Sequence, residues 1–399
     1  MRRRPEALAA ALAGIAAAGQ QRARRTVRGF VDSALGPRVQ IDDRTLFNFC
    51  SNDYLGLARH PALADAQQRA AAAFGSGSGA AHLVTGHSAE HAALEAELAA
   101  FTGRQRAVLF STGYMANLGA ISTFAGRGEV VLQDRLNHAS LLDGARLSGA
   151  RLARYRHGDA DDAAAQLQQH ANTALLATDG VFSMDGDVAP VAALAAACRQ
   201  REAWLLVDDA HGLGVLGAHG GGVLEEAGLG AAEVPLLMGT LGKAFGSFGA
   251  FIAGDDAVIE LLLQRARTFI YTTALPSPVA AAARAVLRLC REESWRRLQL
   301  QAAIARFSQG AQALGIGLLP SRSAIQPLLL GSAQRACAVS EQLLEGGFWV
   351  GAIRPPSVPE GTARLRITLS ATHSDAAIDG LLEALQRALR ATPPQREAS

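Results

Sequence analysis

The 399-residue chain is 49% hydrophobic and sets 38 Lys+Arg against 36 Asp+Glu, for a formal net charge of +2. That length supports two or three domains with a large core, and so balanced a charge argues against a nucleic-acid or acidic-surface partner. No run of about 18 apolar residues is free of a charge or a glycine, which argues against a membrane span.

Arg2–Arg4 ahead of an Ala-rich run has the look of a secretory signal. The run contains Gly14 and Gly19, lacks a Leu-rich centre and is followed by Arg22, Arg24 and Arg25, so a signal peptide is rejected. Composition leaves a mitochondrial-type presequence open. Residues 5–25 predict an Ala-rich helix ending in those arginines, which there either suit the negative helix end or belong to an arm over an active site. Leu46–Leu57 predicts a short strand and a polar turn, with Asn52 a turn former or a ligand. A helix from Pro61 to Phe74 stops at Gly75-Ser76-Gly77-Ser78-Gly79. So many glycines let backbone approach a ligand or a partner subunit. The string also matches Gly-x-Ser-x-Gly, but no buried strand precedes it, so a hydrolase elbow is discounted.

Residues 88–102 predict an amphipathic helix with His91, Glu95 and Glu97. Strands then alternate with helices: Ala107–Phe110, Glu129–Gln133, Leu152–Tyr155, Ala174–Thr178, Trp204–Val207 and Gly249–Ala253, with helices from Met115, over Asp159–His170 and over Pro190–Gln200. This alternation predicts a doubly wound, mostly parallel sheet. Leu261–Phe269 predicts a helix, and 277–292 a long one leading to a second, α+β region. There, strands are expected at Ile325–Leu330, Trp349–Ile353 and Arg364–Leu369, with helices at 297–313, 333–346 and 374–390. The Pro-rich tail from Ala391 reads as frayed. Expected domains are 1–55 (arm and short strand), 56–285 (large) and 286–399 (small).

Candidate chemistry falls just past strand ends, where open α/β sheets collect ligands. Ser111-Thr112-Gly113-Tyr114 opens a helix after a buried strand, a geometry that aims free amides at an anion such as phosphate. His138 follows the next strand and reads equally as a structural residue or a ligand. Ser183 lies in a polar loop after the strand at 174–178. Asp208 and His211 follow the central strand. Lys243 sits in Gly239-Thr240-Leu241-Gly242-Lys243-Ala244-Phe245-Gly246, where small neighbours admit a cofactor and the amine suits a Schiff base with its carbonyl. Pyridoxal phosphate accounts for each member: amine for the aldehyde, amides for the phosphate, buried carboxylate for the ring nitrogen. At an effective dielectric of about 20, such a carboxylate at about 4 Å is worth roughly 4 kcal/mol, enough to keep the ring protonated. No metal is expected. The cysteines Cys50, Cys198, Cys290 and Cys337 are scattered without ligand spacing and read as reduced thiols of a cytoplasmic protein.

Asp208-Asp209-Ala210-His211-Gly212, Thr240-Leu241-Gly242-Lys243 and Val181-Phe182-Ser183-Met184-Asp185-Gly186-Asp187 resemble the α-oxoamine synthases, over residues 20–390. The resemblance implies a fold-type-I pyridoxal phosphate transferase, a homodimer, that joins an amino acid to an acyl thioester and loses carbon dioxide. Ser323–Pro327 and Ala352–Pro359 are similar to the biotin-pathway member, which condenses L-alanine with pimeloyl thioester, on coenzyme A or acyl carrier protein. The alternative is a glycine-using member. Ser357 stands where threonine is usual and keeps a hydroxyl. His82 stands where several other members carry arginine, which argues against those members. The resemblance implies Lys243 as covalent lysine and proton carrier, Asp208 under the ring nitrogen, His211 and Ser183 on the ring oxygen, and His138 on the ring face. It implies Thr240, Gly113 and Tyr114 on the phosphate, with Thr272 or Thr273 from the other subunit. Asn52 and Arg354 would take the amino-acid carboxylate, and Arg22 and Ser357 the pimeloyl chain.

Overall fold

The computed structural model describes residues 5–17, 20–31, 33 and 35–393. Arg2–Arg4 and the end of the Pro-rich tail lie outside the described residues. The chain divides into two compact units, residues 1–51 with 301–399, and residues 52–300.

In chain order the elements are α1 (Pro5–Ala17), β1 (Val27–Val31), β2 (Arg38–Ile41), β3 (Arg44–Asn48), α2 (Pro61–Phe74), α3 (Ala89–Thr102), β4 (Arg106–Phe110), α4 (Gly113–Phe124), β5 (Val130–Asp134) and α5 (Ala139–Ser148). There follow β6 (Arg151–Tyr155), α6 (Ala160–Gln169), β7 (Thr173–Asp179), α7 (Val191–Gln200), β8 (Trp204–Asp208), α8 (Gly222–Glu226), β9 (Leu236–Thr240), β10 (Ala250–Gly254), α9 (Asp256–Arg265), α10 (Arg267–Ile270) and α11 (Ser277–Glu292). The chain ends with α12 (Trp295–Ala313), β11 (Ile325–Gly331), α13 (Ala333–Glu345), β12 (Phe348–Trp349), β13 (Gly351–Ile353), β14 (Ala363–Thr368) and α14 (Asp375–Ala391). A π-helical turn, His82–Gly86, precedes α3.

The larger unit is built on a seven-stranded sheet of order β4-β10-β9-β8-β7-β5-β6. The pairings β5–β6, β5–β7, β7–β8 and β8–β9 are parallel. Only β10 runs antiparallel, to both β9 and β4. This is the doubly wound sheet that the alternating pattern predicts. The inner strands read as near-continuous apolar runs because helices cover both faces. Leu206, Val131, Leu175, Ile252 and Phe110 pack with Ile121 and Leu141 of α4 and α5. Each such side chain, fully buried, stabilises the fold by about 1.5–3 kcal/mol. Register sets the functional edge: Asp179 of β7 lies opposite Asp208 of β8.

The smaller unit has two sheets, β1-β2-β3-β12 and β11-β14-β13. Val39, Ile41, Leu46 and Leu344 form a core patch against Trp349. His373 is buried there, stacked on Phe49 with ring centroids 4.0 Å apart.

Three expectations are corrected. The N-terminal helix ends at Ala17, and residues 20–26 have no regular structure, so Arg22, Arg24 and Arg25 do not sit on a helix end. Side chains draw that stretch elsewhere: Arg25 pairs with Glu341 at 3.0 Å. The helix expected at Leu261–Phe269 is two helices that break at Ala266, whose ψ of 100° is extended. The strand expected at Trp349–Ile353 is interrupted at Val350, whose carbonyl accepts the Ser340 hydroxyl at 2.7 Å. Its halves join different sheets, β12 parallel to β3 and β13 antiparallel to β14.

Candidate active site

The site begins at the C-terminal end of β8. Asp208 is buried. Its Oδ2 accepts Asn117 Nδ2–H at 2.7 Å and its Oδ1 the Ala210 amide at 3.1 Å. Asn117, on α4, spends its second amide hydrogen on Ser140 Oγ at 2.8 Å. His138 caps α5: its Nδ1 accepts the Ser140 amide at 3.3 Å and lies 2.7 Å from Ser140 Oγ. With Nδ1 accepting, the His138 proton belongs on Nε2. The His138 amide is held by Asp179 Oδ2 at 2.7 Å. Asp208, Asn117, Ser140 and His138 thus form one chain of hydrogen bonds across the tops of α4 and α5.

Burial and the neighbouring Asp208 charge push the Asp179 carboxyl well above the usual range. Burial lowers His138, with Asp208 acting against that and Lys243 adding to it. The Asp208 and Lys243 charges therefore act on the same two residues.

Lys243 lies in the loop joining β9 to β10. The loop is closed by Leu241 N–H to Gly249 O and Gly246 N–H to Lys243 O, each 2.8 Å. Gly246 has φ of 61°, and a Cβ there would fall 2.3 Å from the Ala58 nitrogen. Lys243 Nζ donates to His211 Nε2 at 2.7 Å. His211 Nδ1 lies 2.7 Å from Tyr54 OH, which in turn donates to Asn52 Oδ1 at 3.1 Å. One set of tautomers satisfies the whole relay: Lys N–H to His Nε2, His Nδ1–H to Tyr O, Tyr O–H to Asn O.

Gly113 and Tyr114 open α4, where Thr112 Oγ1 caps the Met115 amide at 3.2 Å. First-turn amides have no intrahelical acceptor. Gly113 carries no side chain at this mouth, and a Cβ there would press on Met238 Cε at 3.1 Å. Tyr114 donates its hydroxyl to Asp143. Thr240 Oγ1 donates to Gly249 O at 3.0 Å and accepts the Gly242 amide at 3.3 Å, bracing the lysine loop. Ser183 is half-buried in the loop after β7. That loop is pinned by His157, which bridges Asp134 and Asp187, each at 2.9 Å. Thr272 and Thr273 lie between α10 and α11, the first half-buried and the second exposed.

The remaining candidates belong to the other compact unit and gather there. Arg22 donates to Ser357 Oγ at 3.4 Å, and Arg354 donates to Gln21 O at 2.5 Å.

Sequence reading passed over Tyr54, Asn117, Ser140 and Asp179. Asp179 ends an apolar strand as Asp208 does, so the same rule would have found it. Nothing in the sequence marked Tyr54 or Asn117. It named His82 and His91 separately but not the cluster they form with His87, whose possible ligand atoms lie within 4.8 Å of one another. The signal was their spacing, His-x4-His-x3-His.

The donors fit pyridoxal phosphate. A primary amine, a buried carboxylate held by an amide donor and a helix mouth stripped of its Cβ are what its aldehyde, ring nitrogen and phosphate require. The class I and II aminotransferase family matches residues 44–385. The chain is 60% identical to the 8-amino-7-oxononanoate synthase of Methylococcus capsulatus, over 96% of this chain and 98% of that one. Among solved structures, the serine palmitoyltransferase of S. paucimobilis with a bound pyridoxal phosphate–myriocin adduct is 32% identical, with a TM-score of 0.88 over 97% and 98% of the two chains. The 8-amino-7-oxononanoate synthase of Francisella tularensis is 31% identical, with a TM-score of 0.76 over 87% and 98%. The sheet, the donor set and these likenesses agree: the chain belongs to the class I and II aminotransferase family and, within it, to the 8-amino-7-oxononanoate synthases, which are pyridoxal phosphate-dependent acyltransferases.

Proposed function

We propose that the chain condenses L-alanine with a pimeloyl thioester to give 8-amino-7-oxononanoate, carbon dioxide and the free thiol, a step of biotin synthesis. A carbon–carbon bond forms between the alanine Cα and the acyl carbonyl. The carbon–sulfur bond and the bond from Cα to the carboxylate break. The observation that carries this reading is the Lys243–His211–Tyr54 relay in the same unit as buried Asp208, in a chain 60% identical to a synthase of that name.

Bound pyridoxal phosphate supplies the electron withdrawal that makes a proton on Cα removable. Lys243 would hold the cofactor and move the Cα proton, and His211 Nε2, 2.7 Å from the amine, would relieve it of its extra proton. Asp208 would face the ring nitrogen, kept in place by Asn117 and the Ala210 amide. His138 would lie on the ring face, with Ser183 and His211 at the ring oxygen. Gly113, Tyr114 and Thr240 would receive the phosphate, joined by Thr272 or Thr273 from a second copy of the chain. Asn52 and Arg354 would orient the alanine carboxylate, and orientation alone is worth several kcal/mol of barrier, up to about 7–11 in the best cases. Arg22 and Ser357, already in contact, would meet the pimeloyl chain. A homodimer in the cytoplasm follows from this reading, and the four free cysteines accord with a reducing compartment.

Purified enzyme given alanine, then glycine, with pimeloyl-coenzyme A and pimeloyl-acyl carrier protein in turn, tests the proposal by product mass. Alanine is expected to be incorporated, and the better carrier to show the higher kcat/KM. Product from glycine alone would overturn the substrate. Lys243→Ala should lose the absorbance of the covalently held cofactor and at least about 10³ in kcat. Normal turnover by that variant would remove the central assignment.

A further inference from the structure

Outside the residues assigned to the cofactor, three imidazoles converge where the π-helical turn meets α3. His82 and His87 bring their Nδ1 atoms to 3.0 Å. The ring centroids of His82, His87 and His91 form a near-equilateral triangle, with sides of 5.3, 5.0 and 5.5 Å. Three imidazoles on one tetrahedral zinc-type cation, at Zn–N of about 2.0–2.1 Å, place their nitrogens roughly 3.4 Å and their centroids about 5 Å apart. The centroid triangle therefore matches that of a three-histidine cation site, and the candidate nitrogens, within 4.8 Å of one another, need only small ring rotations to close on an ion.

One outer nitrogen is held as a ligating histidine's is. His91 gives its Nε2 proton to Leu275 O at 2.5 Å, which leaves Nδ1 as the lone-pair nitrogen. That nitrogen now accepts the Ser88 amide at 3.0 Å and lies 2.9 Å from Ser88 Oγ, the two contacts a cation would replace. His87 directs Nε2 toward Glu95, whose Oε2 is 3.8 Å away. His82 lies flat against Phe269, centroids 5.2 Å apart and planes within 12°, which fixes its ring. His87 is about a third exposed and opens the cluster to solvent. Three nitrogens without a carboxylate at the centre select borderline cations over calcium or magnesium.

We propose that His82, His87 and His91 bind one divalent transition-metal ion of the zinc, cobalt or nickel class, with solvent as the fourth ligand. Binding shifts the proton between His82 Nδ1 and His87 Nδ1 to the outer nitrogen of its own ring, so that each imidazole ligates in its neutral form. His91 already ties α3 to the 271–276 loop through Leu275, and Ala274 N–H donates to Ala80 O at 3.0 Å. The ion would clamp the segment 80–91, and through it the loop carrying Thr272 and Thr273.

The test is equilibrium dialysis of tag-free holoenzyme against Co²⁺, read by bound metal per chain and by the visible absorption of the ion. One equivalent with the intense bands of tetrahedral Co²⁺, and a raised Tm with Zn²⁺, are expected. His87→Ala changes the exposed ligand and should keep the cofactor absorbance of the folded enzyme while weakening Co²⁺ at least about tenfold. His82→Gln, read the same way, supplies the second ligand. Equal Co²⁺ binding by wild type and His87→Ala, only weak octahedral bands, or no binding at micromolar metal would each overturn the proposal.

Discussion

Tyr54 takes a hydrogen from His211 Nδ1 and gives its own to Asn52, so one hydroxyl fixes the tautomer of the imidazole that faces Lys243. Tyr54→Phe leaves a buried His211 N–H without its acceptor, a cost of about 1–3 kcal/mol. That corresponds to a fall of roughly five- to 160-fold in kcat/KM, with an altered pH profile. Unchanged kcat/KM would exclude Tyr54 from the relay. The residues legible in the sequence, Lys243, Asp208, His211 and His138, lie at or just past a strand end, and a local pattern announces that position. Tyr54 and Asn117 meet their partners across sequence separations of 157 and 91 residues. Only the folded sheet brings such partners together.

At the scale of elements, the β9–β10 loop depends on a glycine in the left-handed region. Gly246→Ala would force a Cβ against backbone at Ala58, and strain of this kind costs about 1–3 kcal/mol. Gly242 sits in the same loop, but a Cβ there meets nothing closer than 3.7 Å. Urea denaturation should show Gly246→Ala clearly destabilised and Gly242→Ala within about 0.5 kcal/mol of wild type. Equal midpoints for the two would contradict the close approach at Ala58. Most helices and strands of the larger unit were readable because long apolar runs alternate with capped amphipathic segments. The N-terminal helix was overextended because Ala-rich composition carries propensity but no information on where tertiary contacts end it. The π-helical turn was missed because no local periodicity encodes it.

The whole molecule responds to pH from both sides. Burial lowers His157, but its hydrogen bonds to Asp134 and Asp187 outweigh this and push it up to about 10. A folded-state value above the unfolded one of about 6.5 means that its stabilisation is complete below pH 6.5 and lost as pH rises through 10. Burial holds His373 down, at about 4, while its bond to Asn48 O opposes the shift. Its contribution is therefore present above about pH 6.5 and lost as pH falls toward 4. Urea midpoints measured across pH should decline in both directions. His157→Gln should flatten the alkaline limb alone, and an unchanged alkaline slope would contradict the bridge to Asp134 and Asp187.

The antiparallel strand β10 of the seven-stranded sheet also bears on how the chain reaches its native state. The β9–β10 pair is a hairpin closed by the nine-residue loop 241–249, whereas β5, β7 and β8 meet through longer helical crossovers. Short loops cost less chain entropy to close and form sooner. During refolding, the lysine turn should thus acquire its shape while the parallel strands bearing the aspartate and histidine are still assembling. Pulse-labelled amides of 236–254 would then gain protection before those of 130–134.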